Sequence, residues 1–102
     1  MPNLAVTIKD GSLYFSAALC RRFFDGLQCV ILLRRDNDLC ILPVRHQAGG
    51  GYLLKMRNIA GDRVVHAPDF FSEHNVPIDV REFAAEWSSA DQALIIAHAF
   101  DL

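Results

Sequence analysis

The sequence predicts an α+β domain in which one small β-α-β-β unit occurs twice. Three observations predict it. Asp10-Gly11 is a tight-turn dipeptide set between two extended apolar runs. Cys29 to Leu33 and Leu39 to Leu42 are apolar runs on either side of the polar stretch Arg34-Arg35-Asp36-Asn37-Asp38, the pattern of a hairpin. The same succession starts again after Gly49-Gly50-Gly51.

Leu4 to Phe15 reads as extended, with Ala5-Val6-Thr7-Ile8 and Leu13-Tyr14-Phe15 on either side of the turn. Ser16 suits a helix N-cap, because its hydroxyl can accept from an early helical N–H. From Ala17 to Phe24, helical spacing puts Leu19, Cys20, Phe23 and Phe24 on one face, and Gly26 suits the stop. Pro43, which has no N–H for a ladder, ends the return strand of the hairpin. Residues 47–51 form a Gly-rich linker between halves of about 1–46 and 52–102, all within one domain, 1–102.

In the second half Tyr52 to Met56 is extended, and Gly61 precedes Arg63-Val64-Val65. Pro68 fits a first helical turn and Asp69 its positive end. Phe70, Phe71 and His74 share a face, and Val76-Pro77-Ile78 breaks the helix. Residues 80–100 fit two patterns. As a hairpin, Val80 to Trp87 and Ala93 to Ala97 flank Ser88-Ser89-Ala90-Asp91. As helices, Val80, Phe83, Ala84 and Trp87 have i, i+3, i+4, i+7 spacing, with Asp79/Glu82 and Ser89/Gln92 as capping pairs. The alternative architecture is therefore an N-terminal β-α-β-β unit followed by C-terminal helices.

The hairpin pattern resembles the AbrB/MraZ superfamily of tandem swapped-hairpin barrels. Gly11 to Ser16, the helix Ala17 to Phe24 and the hairpin Cys29 to Pro43 carry the first copy. Gly61 to Ala67, Pro68 to Asn75 and Val80 to Ala97 carry the second. The resemblance implies two units closing into one small barrel, and a DNA-binding regulator. The Asp-x-x-x-Arg motif of tandem MraZ proteins is absent from both halves.

Hydrophobic residues make up 52% of the chain, with seven Phe, which excludes a disordered chain. No apolar run reaches the roughly 20 residues of a membrane helix, and no basic-then-apolar leader is visible. The expected location is cytoplasmic, away from membranes. Net charge is −2, unevenly spread. Residues 1–58 hold eight Lys/Arg against four Asp/Glu, and residues 59–102 hold two against eight. One basic and one acidic face follow as an expectation.

Arg21, Arg22, Arg34, Arg35 and Arg45 are the candidate nucleic-acid contacts, since clustered arginines neutralise phosphates. A pI near 6.0 is low for such a domain, and a solvated surface is the competing reading. Asp62, Arg63, His66 and Asp69 form a candidate polar cluster at the mouth of the second helix. His46, His66, His74 and His98 lack zinc-site spacing, and neither metal nor cofactor is expected. Cys20, Cys29 and Cys40, an odd set without CxxC spacing, read as buried reduced thiols. The Gly triplet lacks the flanking residues of a phosphate-binding loop and reads as linker. Trp87, Phe83, Phe100 and Tyr52 read as core or as a contact surface.

Three functions are consistent with these residues. The first is a DNA-binding regulator of swapped-hairpin type. The second is a homo-oligomeric protein-binding accessory or assembly factor. The third is an enzyme built on His66, Asp69 and Arg63, for which so short a chain leaves little room beside a core.

Overall fold

The computed structural model describes residues 5–45, 51–76 and 79–101. Of the Gly-rich linker only Gly51 falls within them; His46 and the predicted break at Pro77-Ile78 lie outside. Strands β1 (Ala5–Lys9) and β2 (Ser12–Phe15) make an antiparallel hairpin around Asp10-Gly11. Both turn residues are left-handed, with φ 51° and 75°. That geometry matches the natural twist of paired strands. Helix α1 (Ala17–Phe23) follows, with Ser16 as its N-cap. Then come β3 (Cys29–Arg35) and β4 (Asp38–Val44), paired as the expected hairpin. After the linker the chain forms β5 (Tyr52–Leu53), β6 (Lys55–Met56) and β7 (Arg63–His66). Helix α2 (Pro68–Glu73), β8 (Arg81–Ala84), β9 (Glu86–Ser88) and β10 (Ala93–Ile96) complete it.

Two five-stranded antiparallel sheets result. The first runs β6-β7-β2-β1-β8 and the second β5-β3-β4-β10-β9. Single buried residues mark where the chain changes sheet: Leu54 between β5 and β6, and Ala85 between β8 and β9. The side-chain period of two sends alternate residues of each strand inward. Val6, Ile8, Leu13, Phe15 and Val65 of the first sheet thereby meet Val30, Leu32, Ile41, Leu94 and Ile96 of the second in one core. Each such side chain contributes about 1.5–3 kcal/mol by leaving water. Phe15 and Phe24 meet edge-on, ring centroids 5.1 Å apart, sealing the core beneath α1.

The fold corrects the sequence reading in three places. The described residues are mostly β, with two short helices, rather than an evenly mixed α+β chain. The first helix is preceded by a complete two-stranded hairpin, so its element order is β-β-α-β-β and not β-α-β-β. Propensity makes the short helices legible, but the strands gain their hydrogen bonds from partners far away in sequence. β4 also continues through Pro43 to Val44. The registered contact of β10 with β4 ends at Leu94–Ile41, so on that side Pro43 lies beyond the ladder, where a missing N–H is tolerated. Residues 81–84, 86–88 and 93–96 are strands, with a turn over 89–92, and the helical alternative is not realised.

Candidate nucleic-acid interface

The outward face of the first sheet is polar. Tyr14 stands between buried Leu13 and Phe15 and so projects away from the core. Register places Thr7 of β1 beside it, Glu82 of β8 beyond Thr7, and Val64 of β7 with Lys55 of β6 on the other side. The guanidinium of Arg57, just past β6, lies 4.9 Å from the Tyr14 ring centroid. Such a cation over a ring face is held by the ring quadrupole. Thr7, Lys9, Tyr14 and Arg57 line a surface hollow of about 240 Å³. Two cations and two hydroxyls thus converge there, with no carboxylate in the lining. An adjoining hollow of about 210 Å³ shares Thr7, Tyr14 and Arg57 and adds Asp62 and Glu82.

Asp62 is tied down from three directions. Its Oδ2 accepts from the Asn58 side chain at 2.9 Å, and its Oδ1 accepts from the backbone N–H of Ala17 at 2.6 Å. Its own N–H donates to Asn58 Oδ1. The Asn58 amide and then the Ala17 N–H hold its carboxyl below the ordinary carboxylate value, with Arg57 and Arg21 adding favourable charge. Asp62 therefore serves the entrance of α1 while Arg57 faces Tyr14.

The five arginines singled out in the sequence are spread over the molecule. Arg21 and Arg22 are exposed in the last turn of α1. Arg21 adds positive charge near Asp62, and Arg22 lies over Phe23. Arg34 donates to the Asp36 carbonyl and to Asn37 on its own turn, and covers Phe100 at 4.8 Å. Arg35 makes a two-pronged bond to Asp91, both contacts at 3.1 Å. Arg45 is exposed beyond the far end of β4 from that turn. A seven-residue strand, about 20 Å long, separates it from Arg34 and Arg35.

The four members of the proposed polar cluster have four separate engagements. Arg63 donates to the Leu27 carbonyl at 2.8 Å. His66 Nδ1 lies 2.8 Å from Ser12 Oγ, directly across the β2–β7 ladder. Asp69 accepts from the Tyr52 hydroxyl at 3.0 Å. Arg63 and His66, three apart on one strand, project to opposite faces of the sheet.

Among the described residues no group of three or more His, Cys, Asp or Glu is arranged to hold a metal. The three cysteines are free and buried. Burial pushes the Cys20 and Cys40 thiols up, away from thiolate reactivity. No helix among the described residues is long and apolar enough to cross a membrane.

Sequence reasoning missed Lys9, Tyr14 and Arg57 as a group. The signal available was the alternation around Tyr14; the partner strand carrying Arg57 lies in the other half of the chain. Comparison with protein-family models, with curated proteins and with solved structures finds no match for this chain.

Proposed function

We propose that this protein is a non-enzymatic binding domain of swapped-hairpin type that engages the phosphate backbone of duplex DNA through the outward face of its first sheet. The architecture supports the swapped-hairpin part. The hairpin β1–β2 pairs with β8 and β7 of the second half, and β3–β4 pairs with β5 and β10. The bent segments at Leu54 and Ala85 join the edges of the two sheets, so the strands can be followed round as one barrel of two interleaved units.

The observation that carries the binding part is the hollow in which Lys9 and Arg57 flank Tyr14. Two cations fixed beside an aromatic ring and a threonine hydroxyl offer charge and hydrogen bonds to a phosphate. Arg21 extends the positive strip past Asp62. The strip is short, so binding is weak and sequence-independent.

Fluorescence anisotropy with a labelled duplex tests this reading. Neutralising about three phosphates gives a log–log salt slope of about −3. Lys9→Ala and Arg57→Ala each weaken binding and flatten the slope, whereas Arg45→Ala, at the end of a strand in the other sheet, leaves both unchanged. Absence of any complex in low-salt buffer would remove the proposal. A second reading, a homo-oligomeric protein-binding accessory, is favoured by the apolar outward row of the second sheet.

A further inference from the structure

A second polar row lies beside the Tyr14–Arg57 hollow, on the same sheet. Two residues along from Thr7 and Tyr14, register brings Lys9 of β1, Ser12 of β2 and His66 of β7 side by side. Leu13 and Val65 point into the core, so Ser12 and His66 project to the outward side with Tyr14. Lys9 and His66 are exposed, whereas Ser12 between them is only 5% exposed. Ser12 Oγ meets His66 Nδ1 at 2.8 Å. That bond occupies one ring nitrogen, and Nε2 lies on the opposite side of the ring. The two rows are about 7 Å apart along the strands, and Lys9 and His66 stand about 10 Å apart across them. Lys9 also lines the hollow, so the new row continues the cationic strip.

We propose, resting on the phosphate-binding reading above, that Lys9, Ser12 and His66 form a further phosphate subsite that is completed in mild acid. Imidazole is the side chain that gains its charge between about pH 8 and pH 5. The neutral ring carries one N–H; the protonated ring carries two. After protonation Nδ1–H donates to Ser12 Oγ, and Nε2–H presents a positive charge beside Lys9. Ser12 is a positioning residue: it holds the ring so that the gained charge adds to that of Lys9. The titratable groups on the elements packed round His66 are Lys9 and Asp10 at the β1–β2 turn, Lys55 on β6, Tyr52 on β5, and Asp69 and Glu73 on α2. Asp69 is engaged by the Tyr52 hydroxyl at 3.0 Å. Two neighbouring cations repel until an anion sits between them, so a bound phosphate favours the protonated ring. Binding and proton uptake are thereby linked with one sign, and affinity rises as pH falls.

Anisotropy with the labelled duplex at about pH 8 and about pH 5.5 reads the effect. Asp62 and Asp91 are both held below their ordinary value of 3.8, so their contacts persist at the lower pH. One more neutralised phosphate raises affinity about tenfold at 0.1 M salt and steepens the log–log salt slope by about 1. His66→Asn, which takes up no proton, abolishes the difference between the two pH values. Ser12→Ala reduces it, because the ring is no longer held. His66→Lys, charged throughout, binds tightly at both. His98→Asn, beyond β10 in the second sheet, retains the full acid gain. A complex with the same affinity and slope at both pH values, or an acid gain that survives His66→Asn, overturns the inference and leaves the DNA reading standing. Absence of a complex at either pH in low salt removes both.

Discussion

Asp62 caps a helix that begins 45 residues before it: its Oδ1 accepts the Ala17 N–H at 2.6 Å. The reciprocal contact exists as well. The Ala67 N–H, at the entrance of α2, donates to the carbonyl of Gly11 in the β1–β2 turn at 2.9 Å. Each helix entrance thus takes one hydrogen bond from a turn of the other half of the chain, in α1 beside the local Ser16 cap.

The Asp62 contact makes stability depend on pH with a definite sign. Its folded carboxyl lies below the ordinary value of 3.8, held first by Asn58 and then by Ala17. The stabilisation is therefore complete above the unfolded value and is lost as pH falls through the lowered folded value. Asp62→Asn is expected to lower Tm by a few degrees at neutral pH. The difference vanishes in acid, once the wild-type carboxyl is itself protonated. Asp91, lowered by Arg35 and then Ser88, titrates in the same direction, so the acid limb is reduced and not abolished. Thermal melts of both proteins across the acid range check this.

Gly11 and Gly26 share a φ of +75° but have different surroundings. A Cβ on Gly11 would meet the Pro68 Cα at 2.8 Å, whereas one on Gly26 finds nothing within 4 Å. Gly26→Ala is expected to cost about 1 kcal/mol, the strain of a left-handed alanine. Gly11→Ala adds a backbone collision to the same strain and is expected to exceed about 2 kcal/mol. Urea unfolding of the two variants gives the comparison directly; equal costs would mean that the β1–β2 turn does not bear on α2.

Phe23 at the end of α1 stacks on Trp87 of β9, ring centroids 5.0 Å apart and planes 12° from parallel. This pair ties the helix of the first half to a strand of the second. Phe23→Ala is expected to destabilise by about 1–2 kcal/mol. It also shifts Trp87 emission to the red, since the indole loses its cover. Trp87 is the single tryptophan of the chain, so the spectrum is unambiguous. An unshifted emission maximum would place the indole elsewhere.

What the sequence by itself determined is everything whose cause is local. The Asp10-Gly11 turn, the Ser16 cap, the α1 face and the Cys29–Pro43 hairpin all follow from neighbours a few residues apart, and all are present. Tertiary structure decided the rest. Val80, Phe83, Ala84 and Trp87 satisfy a helical period, yet residues 81–88 are extended. The outer edges of β1 and β10 supply hydrogen-bond partners there that no local pattern encodes. The Arg57–Tyr14 contact and the Asp62–Ala17 cap are likewise products of strand pairing between distant segments. The five arginines were conspicuous as residue types, but strand length and turn geometry dispersed them. Backbone ladders join residues by register rather than by sequence spacing, which is why composition revealed the charges and only the fold showed which of them face the same way.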